Sequence, residues 1–103
     1  MAILLKNWRD EWEEVSLEKY EELMRKYVKH VRRNWYEVQG RVRVLSEKEV
    51  GIYSYDGFLV CILTCSADTM EKFKKVEGKI IKPIPAYTTY DLSGREIFIP
   101  HVK

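Results

Sequence analysis

Asp56-Gly57 stands between two runs of strand-forming residues, Val50–Tyr55 and Phe58–Thr64. Glycine adopts positive φ without steric cost and aspartate tolerates it, so this pair is a strong two-residue hairpin signal. It commits the middle of the chain to antiparallel sheet. Phe58–Thr64 presents apolar residues on both faces, the pattern of a strand covered on both sides and central in its sheet.

The rest of the chain is read outward from this hairpin. Upstream, Gly40 ends a helical region and Arg41-Val-Arg-Val44 alternates with period two, which predicts a half-buried strand. Ser46–Glu49 is a polar turn. Downstream, Ser66 is a natural N-cap with Asp68 in the first turn, and Met70, Phe73 and Val76 form the apolar stripe of a helix over 67–77. Gly78 follows as its C′ residue. Lys79–Ile84 is a strand disturbed by Pro83 and Pro85, hence an edge or a bulge. Tyr87–Asp91, the Ser93-Gly94 turn and Glu96–Ile99 complete a last hairpin.

Residues 1–38 read as helical. Asn7 caps a short helix in which Trp8, Trp12 and Val15 share one face. The apolar stripe then breaks at Lys19 and Glu22, and a new one begins after Ser16. It runs through Leu17, Tyr20, Leu23/Met24, Tyr27/Val28, Val31 and Trp35, which predicts one long helix from Leu17 to about Trp35. With 103 residues the chain makes one domain, 1–103. The expected fold is α+β: a mostly antiparallel sheet of five to six strands, a long N-terminal helix, and one crossover helix in a ferredoxin-like βαβ element.

Val76-Glu-Gly-Lys-Ile-Ile-Lys-Pro83 and Tyr90-Asp-Leu-Ser-Gly-Arg-Glu-Ile97 give Phe58–Val102 a resemblance to a single βαβββ module of the glyoxalase/vicinal-oxygen-chelate fold. Enzymes of that family place His and Glu ligands on barrel strands. Here the corresponding first strand offers Cys61, and the last offers Phe98 and Ile99. The resemblance therefore carries no function to this chain.

No residue pattern points to catalysis. His30 and His101 have no Cys, Asp or Glu at ligand spacing, so neither a metal nor a cofactor is expected. Cys61 and Cys65 lie in one strand, about 13 Å apart and beyond the roughly 7 Å a disulfide allows. They are expected to be small buried residues with reduced thiols, which implies a reducing, cytoplasmic location. No apolar run reaches the roughly 18 residues of a membrane span, and Lys6 interrupts the N-terminal apolar run before it makes a signal sequence. Abundant Lys and Glu with few Asn and Gln suggest a thermophilic source, archaeal or viral.

Charge is distributed unevenly. Residues 1–24 hold seven acids and three bases, whereas residues 25–48 hold eight bases and two acids. On a helical wheel Lys26, Lys29, Arg32 and Arg33 lie opposite the apolar stripe, and Arg41 and Arg43 share a strand face. Together they form a candidate phosphate-binding surface for DNA or RNA. A stable helix also prefers acids early and bases late, and that preference accounts for much of the gradient. The Trp8, Trp12 and Val15 face is the candidate interface, either for a homodimer or for a protein partner. The expected function is thus non-catalytic nucleic-acid binding, with protein interaction as inhibitor or adaptor as the alternative.

Overall fold

The structure is a computed structural model and describes residues 2–102; Met1, the first residue of the apolar N-terminal run, lies outside the described residues. In order the elements are β1 (Ala2–Lys6), β2 (Trp12–Ser16), α1 (Leu17–Tyr27), β3 (Val28–Arg32), β4 (Trp35–Val44), β5 (Glu49–Tyr53), β6 (Leu59–Thr64), α2 (Ala67–Lys74), β7 (Ile80–Tyr90) and β8 (Glu96–Pro100). The architecture is α+β, with two helices and a mostly antiparallel six-stranded sheet.

β5 and β6 pair antiparallel around the Asp56-Gly57 turn. Gly57 takes φ +94° and donates its N–H to Ser54 O at 2.9 Å. Phe58 N–H donates to Ser54 Oγ, which itself donates to Asp56 Oδ1 at 2.6 Å. The turn residues thus bond among themselves, as a stable short connection requires.

The sheet runs β3-β4-β5-β6-β8-β7, and β7 also pairs with β4. That extra pairing closes β4-β5-β6-β8-β7 into a five-stranded ring. β4 makes closure possible because it is long. Its residues 35–41 pair with β7 along one edge, while β3 and β5 take successive halves of the other. β6 and β8 are parallel; every other seam is antiparallel. Inside the ring, Val38, Val42, Val50, Ile52, Leu63 and Ala86 have no exposed surface. Burying each of the larger aliphatic side chains contributes about 1.5–3 kcal/mol. Met70 and Phe73 of α2, and Leu23 and Tyr27 of α1, join the same core.

α2 starts where the sequence places it but ends at Lys74, short of the expected residue 77, because residues 75–78 form turns closed by Val76 N–H to Phe73 O and Lys79 N–H to Val76 O. Ser66 Oγ accepts the Thr69 N–H at 3.3 Å, one of the donors a helix start leaves unpaired. Ser66→Ala is expected to cost about 1 kcal/mol and to lower the melting midpoint by roughly 4–8 °C in calorimetry. The prolines also behave as expected. Residues 80–85 of β7 pair with β4 only, opposite a register shift between Val38 and Gly40, and β8 joins from Ala86 onward. β7 runs unbroken through to Tyr90, as one strand rather than two.

Three further expectations fail. The long helix ends at Tyr27, and Val28–Arg32 is instead a strand paired with β4. Val28 and Val31 stand three apart, a helical spacing, but the ladder offered by β4 outweighs a modest helix preference for β-branched residues. The segment 2–16 is a hairpin, not a helix. Asn7 Oδ1 accepts the N–H groups of Arg9 and Glu11, each at 3.0 Å, so the residue read as a helix cap closes a turn. Finally, the ferredoxin-like element is absent. β8 lies between β6 and β7 and is antiparallel to β7, so β6 and β7 run in opposite directions. The glyoxalase-like module is likewise incomplete: among the described residues two strands, β7 and β8, follow α2, where the module has three.

Candidate nucleic-acid interface

Period-two alternation sets the face of each β4 side chain. Val38 and Val42 point into the ring, so Arg41 and Arg43 point out of it. Arg41 pairs in register with Tyr53, and Arg43 with Gly51. A Cβ at Gly51 would lie 3.0 Å from the Tyr53 ring and 3.1 Å from both Leu45 and Leu59. Glycine there lets these three side chains close over the outer face of the sheet.

Trp8, in the turn of the β1–β2 hairpin, packs on this face. Its ring meets Tyr53 edge-on at 4.9 Å and 78°. The Arg43 guanidinium lies 4.0 Å from the Trp8 centroid and that of Arg41 5.3 Å, and Arg43 also lies 5.4 Å from the Tyr53 ring. The negative ring faces attract both cations. Among the described residues neither arginine has a carboxylate within 4.0 Å. Arg41 Nε is buried without a hydrogen-bond partner. Three of the four acids of the hairpin are engaged elsewhere, Asp10 with Lys6, Glu11 with Arg9, and Glu13 with Asn7 Nδ2, and the fourth, Glu14, lies opposite Leu4 on the outer side of the hairpin. Two uncompensated guanidinium forks therefore sit side by side on an aromatic bed.

The six basic candidates do not form one surface. The wheel that joined them required a helix through residue 35, and that helix ends at Tyr27. Lys29 and Arg32 lie on β3, and Arg33 occupies the β3–β4 turn at φ +44°. Arg32 pairs with Trp35, six residues before Arg41 on β4, which is about 20 Å. Lys26, on α1, holds its Nζ 5.2 Å from the Tyr55 ring and 5.3 Å from that of Tyr27. Arg41 and Arg43 come together on the Trp8 ring, while Arg32 and Arg33 are neighbours at the far end, by the β3–β4 turn. The sequence pattern identified the Arg41 and Arg43 pair; it did not place Trp8 and Tyr53 against it, because that contact joins elements more than thirty residues apart.

The Trp8, Trp12 and Val15 face is also dispersed. Val15 is buried beneath the hairpin, Trp8 packs on Tyr53, and Trp12 is 66% exposed with Lys6 Nζ 4.9 Å from its ring. On a strand Trp12 and Val15 project to opposite sides.

Burial pushes the Cys61 thiol up to about 12 and the Cys65 thiol up to about 11, and both cysteines are free. Among the described residues no three His, Cys, Asp or Glu side chains group to hold a metal. No helix among them is long and apolar enough to cross a membrane. Near Lys26, Lys19 Nζ donates to Asp56 Oδ2 at 2.9 Å. Burial raises the Asp56 pKa, but the bonds from Lys19 and Ser54 outweigh it and hold the carboxyl below its ordinary value. A depressed carboxyl contributes stability above its unfolded pKa and loses it as pH falls through the folded one. Asp56→Asn should therefore flatten the acid limb of a stability–pH curve, with a cost under about 1 kcal/mol at neutral pH because the pair is partly exposed.

No family model, characterised protein or solved structure matches the chain, so its own geometry carries the functional argument.

Proposed function

We propose that the protein binds single-stranded nucleic acid through its phosphate backbone, with Arg41 and Arg43 as the central contacts and no strong sequence readout. The observation that carries this is the pair of guanidinium groups held without carboxylate partners on the outer face of β4. Phosphate oxygens fit the planar donor fork of arginine, and burying part of the fork strengthens the contact. The strand ring supports the same conclusion. In ring numbering the order is 1-2-3-5-4, closed on a long first strand, with a helix between the third and fourth strands. This is the arrangement of an OB-fold, a five-stranded Greek-key barrel whose outer sheet face and adjoining loops serve oligonucleotides. Arg41 and Arg43 lie on the strand next to that face.

Fluorescence anisotropy with labelled oligo-dT and oligo-U, titrated over a range of salt, tests the proposal. The affinity should fall log-linearly with salt, with a slope of about −0.7 per phosphate contacted. Absence of binding at low salt, or binding indifferent to salt, would remove it.

Protein interaction is kept as a second reading by one observation. Leu4 and Trp12, 59% and 66% exposed, lie on the outer side of the β1–β2 hairpin. If two copies meet there, Trp12→Glu converts a dimer to a monomer in sedimentation equilibrium. A wild-type monomer at all concentrations rules out that self-association.

A further inference from the structure

The shortest seam of the ring lies between β6 and β8. Their parallel seam consists of one residue pair, Leu63 with Phe98, whereas β5 and β6 share five. Below that pair, Leu59–Ile62 on β6 and Glu96–Ile97 on β8 diverge without pairing to each other. A cavity of about 400 Å³ occupies this divergence, its apolar walls formed by Leu5, Met24, Cys61, Ile62, Ile97 and Phe98. It shares Glu49, Thr64, Arg95 and Ile97 with a second cavity of about 600 Å³ between the Ser46–Lys48 turn and the β7–β8 loop. The two make one groove along the edge of β6.

The rim of this groove is acidic. Glu47, Glu49, Asp91 and Glu96 face two bases, Lys48 and Arg95. Arg95 is already paired with Asp91 at 3.6 Å, which leaves three carboxylates against Lys48. A nucleic-acid backbone would be repelled here, so this site is separate from the arginine face.

We infer that the groove receives an extended peptide of a partner protein, with apolar residues alternating with lysine or arginine, added as a strand along the open edge of β6. An unpaired strand edge supplies main-chain hydrogen bonds to such a peptide, and pockets along it select alternate side chains. The apolar walls take one side of the peptide, and the carboxylates of the rim take the basic residues on the other. Ile62, 40% exposed, lies beneath the peptide's path.

The full chain is titrated against a short fluorescent peptide of alternating valine and lysine, with a valine–glutamate peptide as its counterpart. The lysine peptide should bind, the glutamate peptide should not, and amide exchange should slow over Leu59–Ile62 and Glu96–Ile97. The double variant Glu49→Lys/Glu96→Lys should weaken binding by about tenfold or more. Ile62→Lys, at an exposed position, serves the same purpose if the double variant melts early. Arg41→Ala/Arg43→Ala should leave peptide affinity unchanged, which separates this site from the proposed nucleic-acid face. Equal binding of both peptides, no binding of the lysine peptide, or protection confined to other strands would overturn the assignment.

Discussion

Gly40→Ala is expected to lower the melting midpoint by roughly 12–24 °C, corresponding to about 3 kcal/mol in a domain of this size. Gly40 sits at φ +146°, outside the regions L-residues favour. A Cβ there would lie 2.3 Å from Tyr53 O and 2.8 Å from Ile52 Cγ2. The first of these is a backbone atom of the neighbouring strand, so no rotamer change relieves it. Either β4 and β5 separate locally, or the bend at the Val38–Gly40 register shift is lost. That bend is where β4 passes from pairing with β3 to pairing with β5, so closure of the ring depends on it. Gly78→Ala is the control. Gly78 also has positive φ, +81°, but nothing lies within 4 Å of its would-be Cβ. Its cost is backbone strain alone, about 1 kcal/mol. Thermal melts that gave the two variants equal midpoints would show that the Gly40 contacts are not the cause.

The same contrast explains what was legible in the sequence. Features fixed within a few residues are found correctly: the Asp56-Gly57 hairpin, the Ser66 cap, the outward pairing of Arg41 with Arg43, and the one-sided ladder around Pro83 and Pro85. Features fixed by distant partners are not. Val28 and Val31 keep the helical spacing, and only the ladder with β4, a partner outside the run, turns Val28–Arg32 into a strand. An Arg33-Asn34 pair between two runs rich in β-branched and aromatic residues was the available hint of a two-residue turn. At the N-terminus Asn7 offers the same acceptor to a helix start and to a turn, so the capping signal is ambiguous by chemistry. Ile3, Leu5 and Val15 turn to the inner side of the hairpin, but apolar Leu4 between the first two hides any alternation in the sequence. Ring closure through β4 and β7 left no local trace, because it joins residues some forty to fifty positions apart. The candidate site inherits this division. Its arginines were legible; the Trp8 and Tyr53 bed beneath them was not.

Arg41→Ala/Arg43→Ala is expected to weaken oligonucleotide binding by about 150-fold or more at low salt, if each arginine makes one charge-assisted phosphate contact of about 1.5 kcal/mol. Losing two contacts should also reduce the salt slope by about 1.4, that is, 0.7 for each. The slope matters more than the affinity, because it counts ionic contacts and is insensitive to small losses of stability. Both guanidinium groups stack on Trp8, so the alanine variant also loses packing, and its melting midpoint must be compared first. Arg41→Lys/Arg43→Lys separates charge from shape. It keeps both positive charges and long aliphatic stems but removes the planar fork. The slope should then stay near the wild-type value while affinity falls several-fold. Lys29→Ala/Arg32→Ala/Arg33→Ala removes three charges from β3 and its turn, about 13–20 Å away along β4. It should cost less than the double alanine variant despite the greater loss of charge. If it costs more, the phosphate path follows the β3 turn, and the arginines on Trp8 are a packing device of the hairpin.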